Sequence, residues 1–118
     1  MEVQTIENYA NKIVKEVMKK VHNKDYKGVE SVVDEIEIGI DGFIETMQII
    51  EEQMMDPEDS IDEIADDVKI DVYEVADGSC YRSDYGLMLY GDKMFIMMEF
   101  EFRITETGVK SILRGVNV

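Results

Sequence analysis

Met94-Phe95-Ile96-Met97-Met98-Glu99-Phe100-Glu101-Phe102-Arg103-Ile104 reads with a period of two. Met94, Ile96, Met98, Phe100, Phe102 and Ile104 fall on one side of an extended chain. Phe95, Met97, Glu99, Glu101 and Arg103 fall on the other. One side belongs in a core and the other is partly wet, which is the signature of an antiparallel strand packed on one face. Working back, Gly91-Asp92 suits a two-residue hairpin loop with Gly first, and Tyr85, Leu87 and Leu89 alternate before it. Asp77-Gly78 is a further turn signal, and Val68, Ile70 and Val72 alternate with Lys69, Asp71 and Tyr73 as another strand. Working forward, Thr105-Glu106-Thr107-Gly108 turns the chain, and Val109 to about Val116 returns as the last strand. The second half, about 67–117, is thus an antiparallel meander of four strands.

The first half, about 5–66, has helical spacing. Thr5 caps a helix to about His22, whose apolar stripe is Ile6, Tyr9, Ala10, Ile13, Val14, Val17 and Val21. Its later lysines sit where the helix macrodipole favours cations. Tyr26, Val29, Val32, Val33 and Ile36 predict a second helix over 26–38, and Gly39 and Gly42 bracket a break. Phe43, Met47, Ile50 and Met54 predict a third over 43–55. Pro57 and the capping box Ser60-Ile61-Asp62-Glu63 predict a short acidic helical piece over 57–66. The expected fold is a single α+β domain over 1–118: three N-terminal helices, plus the acidic piece, packed on a curved four-stranded antiparallel sheet.

A chain of 118 residues with 45% hydrophobic residues has the size and composition for one core. No run approaches the ~20 apolar residues that span a bilayer. No signal peptide is visible, and the lone Cys80 has no disulfide partner, so a reducing, cytoplasmic setting is expected. The net charge of −15 is not evenly spread. Residues 1–28 hold six Lys and four acids, residues 29–77 hold eighteen acids and one base (Lys69), and residues 78–118 hold five of each. Such a field repels nucleic acid and anionic membranes and attracts basic surfaces.

The link Asn23-Lys24-Asp25-Tyr26-Lys27-Gly28-Val29, the long hairpin around Gly91-Asp92 and the short last strand together resemble the nuclear-transport-factor-2-like (ketosteroid-isomerase-like) superfold. That resemblance implies a cone whose sheet wraps a helix around a pocket, in a group that includes isomerases, dehydratases, ligand binders, toxin-immunity proteins and many dimers. The acid base and the Tyr or acid oxyanion donor of its isomerase-type members find no matching set here, so none is assigned.

Chemistry-bearing motifs are sparse. His22 is the single histidine, which excludes a Ser-His-Asp triad or a histidine-rich metal centre by count. Cys80 lacks a second thiol or base nearby in sequence and reads as inert. The run Asp56–Glu63 fails the calcium-loop pattern because Ile61 stands where the hard turn needs Gly. Glu99 and Glu101 share a strand face about 7 Å apart, which reads as a solvated row softened by Arg103. No catalytic residue, cofactor or metal is called for. The expected function is a non-catalytic acidic binding domain, of the toxin-immunity or nucleic-acid-enzyme-inhibitor type, that neutralises a basic protein partner. The candidate contacts are Asp34, Glu35, Glu51, Glu52, Asp59, Asp62, Glu63, Asp66 and Asp67. Tyr73, Tyr90, Phe95 and Met97 form a candidate self-association patch for a homodimer. The alternative is a small-molecule site between helices and sheet, with Tyr9, Tyr26, Tyr85 and Asp71 as its polar groups.

Overall fold

The computed structural model describes residues 3–55, 61, 64–75, 78–89 and 94–117. Helix α1 (Val3–His22) is followed by a 3₁₀ turn (Lys27–Ser31), strand β1 (Glu35–Ile36) and helix α2 (Gly39–Met54). Strands β2 (Tyr73–Val75), β3 (Cys80–Leu89), β4 (Met94–Thr105) and β5 (Gly108–Asn117) complete the chain. Both helices contribute to the core on one side of a five-stranded sheet of order β1-β5-β4-β3-β2. Among the described residues the fold is therefore α+β, with two helices and a mixed sheet instead of three helices and a four-stranded antiparallel one. No helix among the described residues is long and apolar enough to cross a membrane.

The period of two in β4 is realised as read. Ile96, Met98, Phe100 and Phe102 are all buried in the core. They meet Ile6, Ala10, Val14, Val17 and Val21 of α1 and Phe43, Met47 and Ile50 of α2 within one apolar cluster. Aromatic edges lock the layers together, with Tyr9 against Phe102 at 6.1 Å and Tyr26 against Phe43 at 6.4 Å between ring centroids.

Three expectations are corrected. The first is the helix over 26–38, where the chain makes only the 3₁₀ turn and the two-residue β1. Tyr26, Val29 and Val32 recur every three residues, a spacing that suits a 3₁₀ turn as well as an α-helix. Asp34 then commits the chain to the sheet edge. Its N–H donates to the Ser111 carbonyl at 3.0 Å, and its Oδ2 accepts from the Ser111 N–H at 2.8 Å. Val32, Val33 and Asp34, all weak helix formers, offer little resistance. The resulting β1 runs parallel to β5, with Glu35 opposite Ile112 and Ile36 opposite Leu113.

The second correction is the strand over 68–73. Asn11 of α1 takes both backbone groups of Ile70, accepting from its N–H at 2.6 Å and donating to its carbonyl at 3.3 Å. The alternating stretch therefore lies along α1, and only Tyr73–Val75 pairs with β3. The third is the break at Gly39 and Gly42. Gly42 lies inside α2, and the helix begins at Gly39, which adopts φ +79°. A left-handed start is accessible to Gly at little cost. Of the acidic piece over 57–66, most residues lie outside the described set, and Ile61 and Ile64–Asp66 are not helical.

Asn11→Ala removes the only side chain that satisfies Ile70 on both sides. A loss of about 1–3 kcal/mol is expected, read as a lower urea midpoint, with Asp34→Ala giving a loss of similar size. Unchanged midpoints would show that neither clamp holds its segment in place.

Candidate functional site

The sheet has a second, outer face, and the registers fix its members. Arg82 of β3 stands opposite Glu101 of β4, and Glu101 stands opposite Ile112 of β5. A bulge at Glu99/Phe100 inserts Arg114 into β5 beside this row. Glu101 is only 5% exposed. Its Oε2 accepts from Arg103 Nε at 2.7 Å, and its Oε1 lies 3.6 Å from both Arg82 Nη2 and Arg114 Nη1. These are all three arginines of the chain. The expected wet row is thus an ion-paired lattice around one buried carboxylate. Sequence shows Arg103 beside Glu101, but Arg82 and Arg114 arrive only through strand pairing.

The lattice governs Cys80, which stands opposite Arg103. Burial pushes the thiol's pKa up first, and the hydrogen bond and charge of Glu101 push it further. Arg103 and Arg114 pull in the opposite direction without winning. The thiol therefore stays protonated and poorly nucleophilic, in keeping with an inert role. His22 does not stand free at the helix end. Its Nδ1 lies 2.8 Å from the Ile61 carbonyl, a contact that needs the proton on Nδ1.

Several of the acids expected to face a partner are engaged within the chain. Asp34 clamps Ser111, and Glu35 pairs with Lys110 at 3.5 Å on the outer sheet face. Glu37 pairs with Arg114 at 3.0 Å. Glu51 accepts the phenolic O–H of Tyr26 and lies 3.9 Å from Lys24. That hydroxyl is held protonated, mainly by burial and then by the Glu51 hydrogen bond and charge. Asp66 and Asp67 are exposed beside the polar side of α1, where Lys15 donates to the Asp66 carbonyl at 2.8 Å. Asp59, Asp62 and Glu63 lie outside the described residues.

Helix α2 gathers a different set. Asp41, Glu45 and Glu52 are exposed and recur at four and seven residues, which places them on one stripe. None of them has an ion pair among the described residues. The exposed Ile38 (46%) and Ile49 (43%) flank the same stripe. The helix carries four acids and no base, and two of those acids, Glu51 and Glu52, sit in its last turns, where the macrodipole disfavours them. Asp41 was missed from sequence because the helix was expected to begin only at residue 43, and Glu45, inside that expected helix, was not singled out.

Of the polar groups expected in the alternative pocket, Tyr9, Tyr26, Tyr85 and Asp71, none lines either of two surface clefts. Tyr9 and Tyr26 pack edge-on against core rings, and Asp71 is exposed. A cleft of about 520 Å³ is lined by Lys15, Glu16, Lys19 and Ile64–Asp66, on the polar side of α1. Another, of about 400 Å³, lies at the β4–β5 turn beside Asp34. Among the described residues no group of three His, Cys, Asp or Glu side chains is placed to hold a metal ion. Of the expected self-association patch, Tyr73 is exposed and Met97 is half-buried on the outer sheet face. Tyr90 and the Phe95 side chain lie outside the described set.

Glu101→Gln removes the charge that adds to burial in raising the Cys80 pKa, while Arg103 and Arg114 still act to lower it. Alkylation of the folded protein by iodoacetamide at pH 8 is expected to quicken several-fold, and an unchanged rate would separate Cys80 from the lattice. No protein-family model, curated protein or solved structure matches the chain.

Proposed function

We propose that this is a non-catalytic binding domain of the toxin-immunity or nucleic-acid-enzyme-inhibitor type, which neutralises a basic protein partner through the exposed face of α2. The observation that carries the proposal is the composition and placement of that face. Its exposed acids, Asp41, Glu45 and Glu52, stand beside two exposed isoleucines, and the helix contributes no base of its own.

The physical case has three steps. Acids near the C-terminus of α2 work against its macrodipole, each by about 0.3–1 kcal/mol. A charge placed against a local stability rule points to a role outside the fold. The surrounding chain amplifies the effect, since residues 29–77 carry eighteen acids against one base. A field of one sign raises the encounter rate with a basic surface, while desolvated apolar anchors hold the complex once formed. Ile38 and Ile49 supply such anchors, about 16 Å apart along the helix at its rise of ~1.5 Å per residue. The carboxylates of α2 would occupy positions that phosphates take on a nucleic-acid enzyme.

The test is retention of a basic protein from native lysate on the immobilised domain. The wild type is expected to hold one at low salt and release it as salt rises. Glu45→Lys with Glu52→Lys should abolish retention, and Ile49→Ala should weaken it by about tenfold. Asp66→Lys with Asp67→Lys, beside the polar side of α1, should leave most of it. Equal retention by the α2 variant, or no basic protein at all, would overturn the proposal.

A further inference from the structure

The outer face of the sheet breaks a pairing rule twice, with opposite signs at opposite ends. Near the β4–β5 turn, Arg103 stands directly opposite Lys110. Four residues back along β4, Glu99 stands directly opposite Asp84. Like charges directly across a strand pair destabilise it. At the basic end, Glu101 and Glu35 soften the conflict from within the chain. At the acidic end, the side-chain partners among the described residues are the neutral groups of Tyr73 and Asn117, so neither carboxylate is ion-paired there. The Tyr73 phenol is pushed up to about 12, first by its bond to Asp84 and further by the charges of Asp84 and Glu99. The face is therefore polarised along the strands, with its two ends about 13 Å apart at ~3.3 Å per residue.

We infer that this face is a homodimer interface, in which two copies pack outer sheet to outer sheet about a twofold axis crossing the strands at the level of Glu101. The occupant is a second copy because the face is complementary to itself. Aligned sheets pack about 10 Å apart with strands within about 30° of each other. That leaves two arrangements of the twofold axis, along the strands or across them. An axis along the strands stacks Glu99 on Glu99 and Arg103 on Arg103, which is repulsive. An axis across them reverses the strand direction, so that Arg103 of each copy lies over Glu99 of the other. Each copy's acidic end then meets the basic end it lacks.

Charge balance points the same way. A chain of net charge −15 resists self-association. The outer face carries four bases, Arg82, Arg103, Lys110 and Arg114, against five acids, which makes it nearly neutral. Copies meeting there keep their acidic α2 surfaces apart and directed outward. Only β3, β4 and β5 are long, while β1 and β2 contribute two and three residues, so the footprint is smaller than the ~800 Å² per partner of a standard interface and a reversible dimer is expected. The exposed Tyr73 and the half-buried Met97 lie on this face and add apolar contact.

A charge exchange tests the inference by sedimentation equilibrium, with circular dichroism to check that each variant is folded. The wild type should be a concentration-dependent dimer, and E99R and R103E should each be monomeric. The double variant E99R/R103E, which exchanges the two charges within one chain, should dimerise again. Mixing the E99R chain with the R103E chain should give a heterodimer, because both crossed contacts are then of opposite sign, and this arm needs only the single variants. A wild type that stays monomeric, a dimer that survives R103E, or single variants that fail to pair when mixed would each overturn the inference.

Discussion

The structure turns on β4, because one strand serves two environments. Phe100 and Phe102 face the helices, while Glu101 between them faces the outer side of the sheet. A buried carboxylate is expensive unless it is paired and hydrogen-bonded. Arg103 supplies the short bond, and Arg82 and Arg114 supply charge from the strands on either side. The three guanidiniums are between about a third and three fifths exposed, so solvent screens them and each pair is worth less than a fully buried one. What the cluster adds is registration. It draws on β3, β4 and β5 at once, and a slip of one residue in β3 or β5 would turn an arginine towards Phe100 and Phe102.

The same constraint explains which features were legible in the sequence. The face pattern of β4 is local and strictly periodic, and it placed the core correctly. The apolar stripe of α1 was read in the same way, with Met18 the one buried member left out. The errors arose where a distant residue decides. Nothing near Val68–Val72 says that Asn11 will take the backbone of Ile70. Nothing near Val32–Ile36 says that Ser111 will receive Asp34 and draw the chain into a fifth strand. At the site, Glu99 and Glu101 looked equivalent, yet Glu101 is buried beneath three arginines while Glu99 keeps only Asn117. Their difference is a product of register, and register is not written in either residue.

The acidic block divides for a related reason. Acids that fall next to the sheet find bases there, because β5 carries Lys110 and Arg114 on its outward side. Asp41, Glu45 and Glu52 on α2 find none among the described residues, because the helix has no base and its exposed side looks away from the sheet. Composition gives the total charge, and topology decides how much of it stays uncompensated. Helix α1 shows what compensation looks like, with Lys19, Lys20 and His22 in its last turn where the dipole favours them. The contrast between the two helices cannot be a general demand for solubility, which charges of either sign would meet.

This division also separates two surfaces that would otherwise interfere. On the two proposals made above, a strongly negative domain meets copies of itself and also attracts a basic partner, which are opposed demands, since like fields repel. Placing the nearly neutral lattice on one side of the sheet and the uncompensated helix on the other meets both. The sheet and the apolar core beneath it hold the two surfaces apart, and the Debye length in the surrounding solvent at physiological salt is only about 8 Å. With the core and a packed helix layer between them, the two surfaces are largely screened from each other. A change of sign on α2 should therefore alter capture of a partner while leaving the sheet face as it was, and the converse should hold for Arg103 and Glu99.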